Sequence, residues 1–478
     1  MTFELFEQYS KEFNLLPVYR IIKSDLYTPI SIFLKLRKHY NKMFLLESAE
    51  VDEKFGRYSF IGIEPTNIIK LTDGKLFYNN EIVENDLFNF LNSLLKNISY
   101  PKLDELSYFK GGFVGYLAYE IINTIEPTVK FNYELPEYPL AYLCEFNKII
   151  AIDHFKHNIS IIKNVKLNSD SNLKNEYYSA TQEIDEIIKI IDKETITINS
   201  IKVEDETKSI QSNEKLVSMI EKAKNYIYEG DIFQVVLSNK FIKQFEGDTF
   251  ELYRNLRNIN PSPYMFYFAV DDDLKIIGAS PESLVSCIDK SITINPIAGT
   301  RKRGKDKEDE EKLIENLLND SKEKAEHLML VDLARNDIGR VSQIGSVEVK
   351  EYLQLKKFSH VMHLVSTIKG ILKDDFTVID LLKYCFPAGT VSGAPKIRAM
   401  QIISELENYY RGIYSGALGY IDYSQNLDFC ITIRTFVAYK NKLELQAGAG
   451  IVADSKPALE IKEINNKVAV LFEALKKE

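Results

Sequence analysis

DSKEKAEHLMLVDLARNDIGR, residues 320–340, reads as one helix. Asp320 or Ser321 offers an N-cap, acidic residues sit in the first turn, and Asn336 and Gly339 mark the exit. Glu323 and Glu326 stand three apart, so both carboxylates project from one face. A second pair, Glu460 and Glu463, lies in ALEIKEINNK. Brought face to face, the two pairs would make an all-oxygen site of the kind that holds Mg²⁺ with several waters retained. Alone, Glu323 could merely close a capping box, and glutamates three apart usually decorate a solvated helix face. The neighbouring segments decide between these readings.

Beyond the helix, KKFSHVMHLVSTIKG carries His360 and His363. Their spacing fits a helix, but the Val-Ser-Thr-Ile that follows favours a strand. Small residues crowd from Ala388 to Ala394 in CFPAGTVSGAPKIRAM, with Pro395 in the first turn of the next helix. Backbone N–H groups at such a loop and helix start suit an anion. It is not a Walker loop, because Lys396 has no Ser or Thr after it. GIYSGALGYIDY, LDFCITIRTFVAY and KLELQAGAGIVADS then read as three strand-like runs. Arg434 falls inside the second, and a buried arginine is costly unless it meets a carboxylate of protein or ligand. Gly448 and Gly450 flank Ala449, where missing side chains let a ligand approach the backbone.

Before the helix, the basic run RKRGKDKED reads as a solvated excursion after the strand SITINPIAGT. KIIGASPESLVSC places Glu282 in a turn between strands, and NPSPYMFYFAV is an aromatic strand. TFELYRNLRNI is helical, DIFQVVLSNKF is a strand carrying Gln234, and KLVSMIEKAKNYIYEG is a helix ended by Gly230. Residues 1–165 alternate strands and helices, including an Asn-Asn hairpin in KLFYNNEIV and an apolar strand ending at Glu47 and Ser48. Residues 166–212 shift to polar composition around an amphipathic helix near 182–191 and read as a linker to a catalytic domain at 213–478.

A chain of 478 residues, 45% hydrophobic, is long enough for a large core. Its net charge of -9 argues against a nucleic-acid partner. The 4 cysteines show no metal-ligand spacing and fit a reducing compartment. MTFELFEQYSKEF lacks the basic and apolar pattern of a signal peptide, and no apolar run reaches the length of a membrane span. A soluble cytoplasmic protein is expected. Two acidic pairs, Arg434, Lys467, small-residue loops, and His363 and Glu282 for proton transfer together suit a Mg²⁺-dependent enzyme for a small substrate with more than one carboxylate.

The ordered runs PIAGT, AEHLMLVDLARNDIGRV, FSHVMHLVS, FPAGTVSGAPKIRAM, RGIYSGALGYID, IRTF and AGAGIVADS closely resemble the chorismate-utilising enzymes. LLESAE and GRYSFIG resemble the N-terminal region of the family's anthranilate synthase large subunits, component I. The resemblance implies an α+β, aminodeoxychorismate synthase-like fold, with orthogonal antiparallel sheets and outer helices. Water-adding members typically carry lysine where Gln234 stands, and aminodeoxychorismate synthases often carry lysine where Ala298 stands. Both positions here match the anthranilate synthases, with aminodeoxychorismate synthase as the nearest alternative and an inactive amino-acid sensor as a different class.

By the same resemblance, Glu326 and Glu463 would hold Mg²⁺ directly, and Glu323 and Glu460 through waters. Gly299, Thr300, Tyr414, Arg434, Gly448, Ala449, Gly450 and Lys467 would position chorismate, with Thr390 at the ring. His363 would act in the elimination and Glu282 as acid for the departing hydroxyl. A feedback pocket for L-tryptophan would use Glu47, Ser48, Pro263, Tyr264, Met265, Leu418, Tyr420 and Cys430. No glutaminase segment is found, so glutamine-dependent activity implies a separate amidotransferase subunit, component II.

Overall fold

The computed structural model describes residues 1–49, 56–357 and 361–476, without the side chains of Ala298, Thr300, Ser321, Lys322 and Val361. His360 therefore lies outside the described residues. Among those described, two antiparallel sheets of 13 and 12 strands account for the β structure.

The larger sheet is buried on both faces, and its strands show how. In Tyr264–Ala269, Met265, Tyr267 and Ala269 pack into a core shared with the helices Pro29–Leu36, Leu173–Lys193, Phe250–Ile259 and Pro457–Ala474. Phe266 and Phe268 point the other way, into a core shared with the smaller sheet. A period of two with both faces apolar is what a central strand of a layered α+β protein requires. The amphipathic helix read near 182–191 extends over Leu173–Lys193 and buries Ala180, Ile184, Ile187 and Ile191.

Both sheets interleave strands that are far apart in sequence. Met43–Glu47 pairs with Tyr264–Ala269 in the larger sheet, and Gly112–Leu117 pairs with Ala417–Asp422 in the smaller. The Asn-Asn hairpin forms between Lys75–Tyr78 and Glu81–Val83, with Asn79 and Asn80 both at positive φ as a tight primed turn demands. The segment LDFCITIRTFVAY is not one strand. Leu427–Ile431 belongs to the smaller sheet and Thr435–Tyr439 to the larger, and the chain crosses between them over residues 432–434. Arg434 sits in that crossing at φ 50 rather than inside a strand. No helix among the described residues is long and apolar enough to cross a membrane.

Candidate active site

The helix Ser321–Gly339 starts where expected, with the Asp320 carboxylate accepting the Glu323 N–H at 3.2 Å. It lies against the strands Ile297–Lys302 and Val361–Ile371, while Pro457–Ala474 lies along Lys442–Ile451. The two helices bring their acids together at Glu326. Burial raises the proton affinity of this carboxylate, and the charges of Glu323 and Glu463 raise it further. Against them act Lys467 and Gln234, whose Nε2 donates to Glu326 Oε1 at 3.2 Å. Glu323 pairs with Arg301 at 3.0 Å, and Glu463 with Lys467 at 2.7 Å. Glu460 is buried on the same helix as Glu463. Among the described residues, no three His, Cys, Asp or Glu side chains stand together as a ready-made metal shell. The donor chemistry nevertheless fits Mg²⁺, which binds through one or two carboxylates and keeps several waters. Like charges converging on Glu326 are the kind that a divalent cation relieves.

The basic run after Ile297 is not a solvated excursion. Arg301 and Lys302 complete the strand, Asp306 caps a helix at Lys307–Asn319, and the acids downstream fold back onto the bases. Arg301 bonds Asp320 as well as Glu323, and Arg303 bonds Glu310 at 2.7 Å. Opposite charges brought within ion-pair distance explain the difference, since a mixed-charge run can satisfy itself once a helix reverses the chain.

Glu282 occupies the expected turn, its carbonyl accepting the Ile431 N–H at 3.0 Å. Burial pushes its carboxyl up to about 7, opposed by Thr390, Lys467 and Arg434. Thr390, Lys467 and Arg434 therefore gather around one acid. His363 lies in the strand Val361–Ile371, settling the choice left open by the sequence. Its ring is buried and pushed down to about 4 by desolvation and by Arg434, against a bond to the Gly299 backbone. An acid whose proton affinity is raised and a histidine whose proton affinity is lowered, both within the field of one guanidinium, form a pair with opposite shifts. Gly299 is a bulge residue at φ 67, and a Cβ there would come within 3.3 Å of Glu323 Oε2. Thr300 stands in register with His363, but its side chain is outside the described residues.

Gly448 and Gly450 are small for a visible reason. A Cβ at Gly448 would lie 2.7 Å from Tyr414 Oη, and one at Gly450 would lie 2.5 Å from Gln234 Nε2. The strand thus passes directly under both side chains, with Ala449 buried in the helix-side core. Lys467 Nζ donates to the Gly448 carbonyl at 2.9 Å. A cavity of about 30 Å³ opens beside Glu282 and Thr390, walled by Leu284, Leu330, Leu333 and Ile431.

Of the residues expected to sense tryptophan, Glu47 and Tyr264 lie at the ends of adjoining strands. Glu47 and Met265 are direct cross-strand neighbours. Glu47 bonds Tyr253 and pairs with Arg257 at 3.2 Å, both on the helix Phe250–Ile259. The Ala49 N–H reaches the Ser262 carbonyl at 3.0 Å, which carries Ser48 past Pro263. On the inter-sheet side, Tyr264 donates to Asp428 at 3.0 Å, while Leu418 and Tyr420 face Cys430 and Asp428 across the strand pair. Asp428, whose carboxyl is pushed up to about 7 by burial, was missed in the sequence. Its signal is there: a lone acid set among apolar residues in LDFCI.

The most deeply buried arginine is Arg411, with 1% exposure, paired with Glu407 at 2.7 Å. The sequence shows only an ordinary polar turn, ENYYRG, and nothing local reveals that it is buried.

A fold of two interleaved antiparallel sheets, with carboxylates from two helices facing an acid, a neutral histidine and a buried guanidinium, matches one class of protein. The family profile of chorismate binding enzymes covers residues 42–473, and this chain belongs to that family. Within it, the chain is 43% identical to anthranilate synthase component 1 of Aquifex aeolicus (strain VF5), over 99% of its own length and 97% of that protein. The solved anthranilate synthase component I from Streptococcus pneumoniae TIGR4 superposes with a TM-score of 0.80 at 34% identity, covering 95% of this chain and 99% of that one. The menaquinone-specific isochorismate synthase from Escherichia coli shares the fold, with a TM-score of 0.71 at 21% identity over 99% of this chain and 98% of its own.

Proposed function

We propose that this chain is the large subunit of an anthranilate synthase, converting chorismate and ammonia to anthranilate and pyruvate in tryptophan synthesis. The observation that carries the reading is Gln234. It is buried and bonded to Glu326 over Gly450, and a carboxamide cannot activate water as a base. Ammonia brings its own lone pair and needs no such base. The names of the relatives point to the same chemistry.

In this reading Arg434, Lys467 and the backbone of Gly448–Gly450 hold the substrate's carboxylates, and Tyr414 and Thr390 orient the ring. Glu326 and Glu463, with Glu323 and Glu460 behind them, would hold Mg²⁺, which when bound would supply a counter-charge for the ring carboxylate and for developing negative charge. Ammonia attacks ring carbon 2 as the carbon 4 hydroxyl leaves with a proton from Glu282. Neutral His363 then takes the carbon 2 proton as enolpyruvate departs, giving anthranilate and pyruvate. Free ammonia suffices for the chain itself; use of glutamine requires a glutamine amidotransferase subunit, the counterpart implied by the relatives' designation as component 1. The strand ends around Glu47, Ser48, Pro263, Tyr264, Met265, Leu418, Tyr420 and Cys430 bind tryptophan as feedback inhibitor.

The test is product analysis with chorismate, Mg²⁺ and ammonium at mildly alkaline pH. Anthranilate plus pyruvate, suppressed by tryptophan, is the expected outcome. A 4-amino product without pyruvate would reassign the chain to aminodeoxychorismate synthesis, and absence of Mg²⁺-dependent turnover would leave only a sensor.

A further inference from the structure

Glu120 follows the strand Gly112–Leu117 in a short turn of 3₁₀ helix, Tyr119–Ile121, and is 1% exposed. It is remote in sequence from every residue assigned above to substrate. Its carboxylate is spent on two backbone groups: Oε1 accepts the Arg411 N–H at 2.7 Å and Oε2 accepts the Gly412 N–H at 3.0 Å. The Tyr119 N–H returns a bond to the Gly412 carbonyl at 2.8 Å. Three hydrogen bonds therefore pin one dipeptide of the catalytic half to one turn of the N-terminal half.

That dipeptide opens the segment that presents Tyr414. Gly412 sits at φ 63 and Ser415 at φ 63, and the Ser415 N–H is held by the Thr432 carbonyl at 2.9 Å. Between these fixed points stands Tyr414, whose hydroxyl lies over Gly448. The Arg411 side chain extends the effect. Its guanidinium donates to the Val391 carbonyl at 2.8 Å, beside Thr390, and to the Val236 carbonyl at 2.7 Å, in the strand that begins at Gln234. Glu407 supplies its counter-charge.

We propose that Glu120 is a positioning residue for the substrate site, the N-terminal half's clamp on the turn that aims Tyr414. Two N–H groups captured by one buried carboxyl group leave the turn no ready alternative partner, because a buried amide that loses its acceptor is left unsatisfied at the full cost of its desolvation. The catalytic half is then incomplete without residues 119–120, even though neither residue touches substrate.

The inference rests on the reading of Tyr414 as a chorismate contact, and the experiment separates the two. In Glu120→Gln, the carboxamide keeps one acceptor and turns an N–H donor towards the other amide. Expected is a rise of about tenfold in the chorismate KM with a smaller change in kcat, the cost of one lost buried hydrogen bond. In a Tyr414→Phe background the same substitution should raise KM less than twofold, because the residue it aims has already lost its contact. Hydrogen exchange should rise at the amides of residues 411 and 412. Should Glu120→Gln not fold, Glu120→Asp, which withdraws the carboxylate by one methylene, is measured in the same way. An unchanged KM, or an equal rise in both backgrounds, overturns the clamp. Wild-type protein that does not turn over chorismate overturns the substrate reading instead, whatever the exchange data show.

Discussion

Glu282 and His363 are ordinary residue types placed where water is scarce, and scarcity acts on them in opposite directions. A carboxyl loses more than it gains by ionising there, and an imidazole loses by protonating. For Glu282, raised from an ordinary 4.5 to about 7, the sign is definite. Its contribution to stability is complete below the ordinary carboxyl range and is lost as pH rises through about 7. In the proposed mechanism the same proton is the one it donates. At fixed free ammonia, chorismate consumption should therefore fall as pH rises through about 7, and Glu282→Gln should lower the rate and remove that limb. A limb that persists in the variant would assign it to another group. The opposed proton affinities could not be read from PESL or VMHLV alone, because they depend first on burial by distant segments, with Arg434 adding to it at His363 and Thr390, Lys467 and Arg434 opposing it at Glu282.

At the scale of elements, the helix Ser321–Gly339 was legible almost to the residue, because cap, periodicity and exit all act within one turn of their own positions. The neighbouring helix Lys307–Asn319 was not, since its first turn, KEDE, reads equally as a solvated charge run. The break at residues 432–434 was hidden for a different reason: Thr432-Ile433-Arg434 holds no Gly or Pro to punctuate the run, and only the change of sheet shows that the strand has ended. Local signals carried the hairpin at Asn79–Asn80 and the helix Asn213–Tyr228, whose Ser212 cap accepts the Lys215 N–H. Non-local placement carried the rest. The two acidic helices also make a prediction of their own. Glu326, at their meeting point, should matter more for metal than Glu323, which Arg301 already satisfies. Calorimetric titration with Mn²⁺, without substrate, should show a larger loss of affinity for Glu326→Gln than for Glu323→Gln. Equal losses would contradict the assignment of Glu326 as a direct ligand.

Across the whole molecule, stability leans on buried charge as well as on apolar layers. Arg411 and Glu407 are both nearly inaccessible and tie together Val236, Val391 and Glu120. Arg411→Met would leave Glu407 as an unpaired buried carboxylate, at a cost of about 3–5 kcal/mol. Arg20→Met, which breaks a half-exposed pair with Asp185, should cost no more than about 1 kcal/mol. Denaturant unfolding of the two variants measures the contrast, and similar losses would mean that the interior pair carries no special weight. The polar cluster explains why the centre of the protein was the least readable part of the sequence. Its members come from residues 120, 236, 391, 407 and 411, and nothing local links them.

The interleaving of strands has a consequence for heredity. Met43–Glu47 is laced to Tyr264–Ala269, and Gly112–Leu117 to Ala417–Asp422. A genetic crossover between residues 120 and 264 therefore joins strands of one parent to partner strands of another. Such a hybrid must match side chains on both faces of the larger sheet and also keep the seat for the amides of residues 411 and 412. The sequence that would sense the end product and the sequence that would make it are thus inherited as one block, and change in either half is screened by its fit to the other.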